Sequence, residues 1–383
     1  MSSDRRLIIV VVAIVVAVIA IVVLGTRNPS PTGPGPSATC AGDEGPGTPS
    51  AACAVEPSAG PTGSAAETSE PSAAESNEPS QEPVALSVGL GFIPSVQFAP
   101  FYLADQAGYY REAGLSVTFQ NKVDPDLVAL TGQGAIDIGV ADGTSVIPAV
   151  SQGIPIKYVA TIYGTFPSIV FAKQSSGIAT AADLRGKKLG IPGKYGSSWI
   201  MLQALLQSAN LTPADVDIVE FPDFGQATAL QQGTVDAATG FANNEPIQLK
   251  NAGIDTVSLT VDSIVPLPGP GLVTGTQTLA AKEAALKAFT SATLRAMDDI
   301  AADPQTGLDA TFALVPDLAQ DPALQRQILD ATIAQWKNPR TNAAYGTIDR
   351  DGWQQSLDFM GTLGLVPNPV TVDQLVDDSL LGS

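Results

Sequence analysis

The stretch GFIPSVQFAPFYLADQAGYYREAG, residues 91–114, holds six aromatic residues in a chain with 12 Phe, 7 Tyr and 3 Trp. An apolar, alternating run, VALSVGLGF, precedes it and reads as a strand. The stretch itself turns at Pro94, continues as a helix and stops at Gly114, where LSVTF begins a second strand. On a helix starting near Gln97, Phe98 and Tyr102 are i,i+4 neighbours. Phe92, Gln97, Phe98 and Tyr102 all fall at or just beyond the C-terminal end of the first strand. In open α/β sheets that is where ligands bind, so these four are candidate ligand contacts. The plain alternative is that the Phe rings are ordinary core.

The same alternation runs outward from this stretch. DPDLVALTGQG is a short helix, AIDIGVA a strand, DGTSVIPAVSQG a helix and IKYVATIY a strand, with IVFAK after it. A second unit repeats the rhythm: KKLGIP, SSWIMLQALLQSAN, VDIVEF, GQATALQQG, VDAATGF, EPIQLKNAG and DTVSL. GQGAIDIGVAD (132–142) and QQGTVDAATGF (231–241) share a helix end, a glycine turn, an acidic residue and a buried strand. Strands alternating with helices predict an α/β fold with mostly parallel sheets. PLPGPG (266–271) reads as a rigid connector, and the chain is mainly helical from Leu279 onward.

Composition narrows the function. The net charge is −19, and no Lys/Arg cluster offers a basic face, so nucleic acid is not an expected partner. The chain has no histidine, which removes Ser-His-Asp and Cys-His nucleophile pairs and His-based metal sites. Its two cysteines, Cys40 and Cys53, lie in a low-complexity segment. Neither a metal nor a cofactor is expected. Leu7 to Leu24 is an unbroken run of 18 apolar residues, about 27 Å long as a helix. Arg5 and Arg6 precede it. The expectation is a cytoplasmic N-terminus (1–6), a single-pass signal anchor (7–24) in the cell membrane, and an extracytoplasmic remainder. Residues 25–84, rich in Pro, Ser, Gly, Ala and Glu, read as a disordered tether.

Three further loops are candidate binding elements. Asp142 and Gly143 follow a strand and open a helix, where free N–H groups hold polar atoms; Asp142 also reads as an N-cap. Gly196, Ser197, Ser198 and Trp199, in GKYGSSW, repeat that arrangement in the second unit. Asn243, Asn244 and Glu245, in GFANNEP, offer donors and acceptors suited to the edge of a heterocycle. Capping is the plain reading for Asn244 and Glu245.

Taken together, GFIPSVQFAPFYLADQAGYYREAGLSVTF, GAIDIGVAD, DLRGKKLGIPGKYGSS and LQQGTVDAATGFANNEP resemble the ABC-transporter substrate-binding proteins of the nitrate/sulfonate/thiamine-pyrimidine type. The resemblance covers residues 85–383. It implies a two-lobed periplasmic-binding-protein (type 2) fold with a hinged cleft. Lobe one would comprise 85–172 plus 271–383, and lobe two 173–270. It also implies capture of a small molecule and its delivery to ABC permease and ATPase subunits, without catalysis. Tyr109 and Tyr110 then belong to a recurrent GYY packing element away from the ligand.

The related pyrimidine synthases use a histidine and a cysteine-rich motif, and this chain has neither. Pyrimidine-binding members often read W-x-P-N-x-x-H in the first loop. Here Phe92, Pro94, Ser95, Gln97 and Phe98 stand instead, closer to flavin binders. The implied ligand is a vitamin-like heteroaromatic compound, riboflavin or a thiamine pyrimidine precursor. The alternatives are a sulfonate, taurine or nitrate, and an enzyme using Glu245 or Asp142 as a base.

Overall fold

The computed structural model describes residues 82–123 and 126–382. Two five-stranded sheets carry the fold. The first is built from β1 (Val84–Leu90), β2 (Leu115–Asn121), β3 (Ile138–Asp142), β4 (Ile156–Thr161) and β10 (Pro270–Gly275), in the order β2-β1-β3-β10-β4. The second contains β5 (Ser168–Lys173), β6 (Lys188–Ile191), β7 (Asp217–Glu220), β8 (Ala237–Phe241) and β9 (Thr256–Leu259), in the order β7-β6-β8-β5-β9.

The sheets are mixed, not mostly parallel. In the first, β1 runs parallel to β2 and β3, while β10 is antiparallel to β3 and β4. In the second, β6 runs parallel to β7 and β8, while β5 is antiparallel to β8 and β9. The antiparallel members are the strands on which the chain crosses between sheets. It leaves the first sheet after Thr161 and enters the second at Ser168, ahead of the boundary expected at 172/173. It returns through 260–269, and Pro270 already pairs with Asp142 in β10. The connector expected at 266–271 therefore ends in a central strand. Pro270 is tolerated there as the first strand residue: it has no N–H to offer, and its carbonyl accepts from the Ile162 and Tyr163 N–H groups.

Helices follow the strands as the sequence rhythm predicts. They are α1 (Ala99–Gln106), α2 (Tyr109–Glu112), α3 (Asp126–Gly132), α4 (Gly143–Ser151), α5 (Gly196–Ser208), α6 (Gln226–Gln232) and α7 (Glu245–Asn251), of which α5, α6 and α7 contribute residues to the site described below. The C-terminal part adds α8 (Thr276–Ala302), α9 (Pro304–Leu314), α10 (Pro322–Gln335), α11 (Arg350–Thr362) and α12 (Val372–Leu375). The core beneath the first sheet joins Leu86, Val88 and Leu90 to Phe101, Tyr110, Phe289 and Trp336. Each such large side chain, fully buried, contributes roughly 1.5–3 kcal/mol. Tyr110 stacks on Phe289 with centroids 4.8 Å apart, and its hydroxyl meets Thr293 Oγ1 at 2.8 Å. Tyr109 donates to Asp299 and lies under Arg295. Both GYY tyrosines are thus packing residues that tie α2 to α8.

The apolar run 7–24, nearly all of the tether and both cysteines lie outside the described residues. Among the described residues, no helix is long and apolar enough to cross a membrane.

Candidate functional site: a cleft at the C-terminal edge of both sheets

The parallel strands β1, β3, β6 and β8 all deliver their C-terminal loops to one cleft. It encloses about 870 Å³ counted out to its open mouth, within the range of small-molecule sites. Both crossovers reach this edge too, because β4 and β10 are antiparallel. Tyr163 from the first and Pro270 at the end of the second line the cleft.

Rings form much of the wall: Phe92, Phe98, Tyr163, Tyr195, Phe224 and Phe241. Phe92, from the first-sheet side, meets Phe224, from the second-sheet side, edge to face at 4.8 Å. Asn121 holds the Phe92 loop by donating to its carbonyl at 2.6 Å. Phe224 sits at φ 60°, a left-handed conformation that costs a non-glycine residue roughly 1–2 kcal/mol. Strain of this kind concentrates at functional sites.

The polar groups of the wall are held by the chain ends around them. Gln97 is buried; its Oε1 accepts from Asn243 at 3.2 Å and Tyr163 at 3.4 Å, while its Nε2 donates to Ser95 at 3.2 Å. Glu245 Oε2 accepts from the Phe241 N–H at 2.8 Å. Glycine at 240 leaves room for this carboxyl group: a Cβ there would lie 2.6 Å from the Glu245 carboxyl carbon and 2.8 Å from the Phe171 ring, so Glu245 would have to shift. Burial pushes the Glu245 pKa up to about 7, against the pull of the Phe241 N–H. Asn244 Oδ1 is engaged by Gln248 at 2.8 Å. Gln226 is buried on the lining, and no described residue donates to its Oε1. A buried carbonyl left without a donor is costly, so this one is an acceptor ready for a ligand N–H or O–H.

Asp142 does not cap its own helix. Its Oδ2 crosses the cleft and accepts from the Ser197 N–H at 3.2 Å, at the start of α5. Gly196 makes that approach possible with φ 61°, a conformation that favours glycine. Desolvation raises the Asp142 pKa, opposed by the Ser197 hydroxyl and N–H.

Nine of the residues singled out from the sequence line the cleft: Phe92, Gln97, Phe98, Asp142, Gly196, Ser197, Ser198, Asn244 and Glu245. Four do not. Tyr102 packs in the core against Phe98 and Phe119, with its pKa pushed up to about 12 by burial. One helical turn beyond Phe98 carries it past the loop and under the sheet. Gly143 is turned to the crossover, where its N–H donates to the Gly269 carbonyl at 3.1 Å. Trp199 packs half-buried against the core behind α5. Asn243 is fully buried behind Gln97 and donates to it, to Tyr163 and to Thr332.

The residues not anticipated are Tyr163, Tyr195, Phe224, Gln226 and Phe241. Tyr195 and Phe241 lie inside loops already quoted, GKYGSSW and GFANNEP. Phe224 and Gln226 follow β7, so the rule that selected the other loops applies to FPDFGQ (221–226) as well. Tyr163 has no such signal, since it sits on a crossover.

The profile of the NMT1/THI5-like family matches residues 95–307. A relative, the riboflavin-binding protein RibY of Chloroflexus aurantiacus, is 34% identical over 295 residues, covering 76% of this chain and 84% of that protein. A 4-amino-5-hydroxymethyl-2-methylpyrimidine phosphate synthase of Legionella pneumophila is 27% identical over 169 residues, which span 44% of this chain and 52% of that one. Among solved structures, the alkanesulfonate-binding protein SsuA of Xanthomonas axonopodis pv. citri, bound to MOPS, matches with a TM-score of 0.63. The identity is 17%, over 78% of this chain and 99% of that one. That last likeness concerns the fold.

Proposed function

From the premise that the chain belongs to the NMT1/THI5-like family, we propose that it is the substrate-binding component of an ABC importer and that its ligand is a flat, vitamin-like heteroaromatic compound. Riboflavin is the first choice and a thiamine pyrimidine precursor the second. The observation that carries this reading is the wall itself: six rings from both sheets and a crossover, with buried amide and carboxyl groups set among them. Rings supply apolar contact to a planar ligand. Gln226 Oε1 and the Glu245 carboxyl accept from ring N–H or exocyclic amine groups. The name of the Chloroflexus relative supports the flavin.

In this account the chain performs no chemistry. The anchor at 7–24 and the tether at 25–84 hold the cleft close to the permease, where a tethered receptor acts at high effective concentration. Purified full-length chain inspected by absorbance and mass spectrometry tests the ligand class. A co-purified flavin or aminopyrimidine supports the reading; a co-purified sulfonate overturns it.

One observation favours a second reading, an enzyme with a carboxylate base. Glu245 lines the cleft with a pKa of about 7, the range suited to a general base. Turnover of a heterocyclic substrate that disappears in Glu245→Gln would establish it.

A further inference from the structure

The N-terminus of a helix is an anion site, with free N–H groups and a partial charge of roughly +0.5. The α5 N-terminus opens onto the cleft through Gly196, Ser197 and Ser198. Here the protein supplies a carboxyl group of its own. Asp142 Oδ2 takes the Ser197 N–H at 3.2 Å, and the Ser197 hydroxyl bonds the same carboxyl group. Two of the donors that an incoming phosphate or sulfonate would need, the Ser197 N–H and hydroxyl, are already used.

The rest of the wall adds no compensating charge. Glu245 is a second carboxyl on the lining, and among the described lining residues there is no Lys or Arg. Lys194, two residues before Gly196, points into solvent and does not line the cleft. An anion in the cleft would therefore lose its hydration and meet two carboxyl groups and no cation.

We propose that Asp142 is the charge filter of this cleft: its carboxyl group occupies the α5 N-terminus, so that with this group ionised the site accepts uncharged or cationic ring compounds and rejects their phosphate esters and sulfonates. The filter rests on the heteroaromatic reading above and adds the charge class of the ligand. It also places the protein after a dephosphorylation: a phosphorylated form of the ligand must lose its phosphate before capture.

The test is a charge series on one ring system, measured with the full chain by equilibrium titration. The probes are riboflavin, its 5′-phosphate and a flavin bearing an aminoalkyl side chain, with ethanesulfonate as a small anion. Wild-type protein is expected to bind riboflavin at least about 100-fold more tightly than the phosphate, on the scale of like-charge repulsion at a partly buried site. Asp142→Asn, which keeps an acceptor for the Ser197 N–H, is expected to narrow that ratio by at least about tenfold. If Asp142→Asn fails to fold, the wild-type series decides: the aminoalkyl flavin should bind at least as tightly as riboflavin. Wild-type affinities for riboflavin and its phosphate within about threefold, a ratio unchanged in the variant, or weaker binding of the aminoalkyl flavin than of the phosphate would each overturn the filter and leave the heteroaromatic reading intact. No saturable binding of a flavin or of the aminopyrimidine, with ethanesulfonate bound instead or not, would overturn the heteroaromatic reading and the filter with it.

Discussion

Asn243 Nδ2 lies 3.2 Å from Gln97 Oε1, joining loops 146 positions apart and from different sheets. The same amide reaches the crossover at Tyr163 and the C-terminal helix α10 at Thr332. A residue with no exposed surface thus sets the orientation of a cleft-lining amide. Asn243→Ala should lower stability by roughly 2–4 kcal/mol, from lost bonds and a small void. That corresponds to a fall in Tm of about 5–10 °C. Ligand affinity should fall as well, because Gln97 loses one of the two donors to its Oε1, leaving only Tyr163. An unchanged Tm in thermal unfolding would show that the network is incidental.

Glu245 predicts a dependence on pH. Its pKa in the folded protein is about 7, raised from its ordinary 4.5 by burial. Between those values the folded state keeps a proton that the unfolded chain has released. Stability therefore falls as pH rises from about 4.5 to 7, and the loss is complete above that range. A gap of this size is worth roughly 3 kcal/mol. The raised pKa of Asp142 acts in the same direction. Glu245→Gln keeps an acceptor for the Phe241 N–H, so it should flatten the pH profile and raise Tm at pH 8. Denaturant titrations of both proteins at several pH values between 5 and 8 check this. An equally steep profile in the variant would exclude Glu245 as its source.

Phe224 separates binding from stability. Phe224→Gly relieves a left-handed backbone strain of about 1–2 kcal/mol. It also removes an edge-to-face pair worth about 0.5–1.5 kcal/mol. The two nearly cancel, so stability should stay within about 1 kcal/mol of the parent. Affinity for a flat ligand should drop at least about tenfold, a loss of roughly 1.4 kcal/mol. Equal affinity in calorimetric titration would mean that the ring at 224 is not part of the binding wall.

The succession of strands and helices was legible because each segment carries its own period and its own stop, as at Gly114 and Gly233. Strand direction was not, since pairing is decided by which distant segments meet. β10 shows the limit most clearly: PLPGPGLVTG has the composition of a connector, and burial between β3 and β4 makes its last six residues a strand. The site followed similar lines. Loops after parallel strands could be recognised in advance, and they supply Gln97, Asp142, Ser197 and Glu245. Tyr102 shows why spacing alone misleads. It shares a helix face with Phe98, but that face turns from the cleft to the core within one turn. Tyr163 depends on where a crossover runs, which no local pattern records.

The most direct measurement is an equilibrium titration of the full chain with riboflavin, followed by tryptophan fluorescence, with Phe92→Ala alongside. The account predicts saturable quenching with one ligand per chain, weakened at least about tenfold in the variant. No response to riboflavin or to the aminopyrimidine, with a thermal shift on adding ethanesulfonate or nitrate, would contradict it.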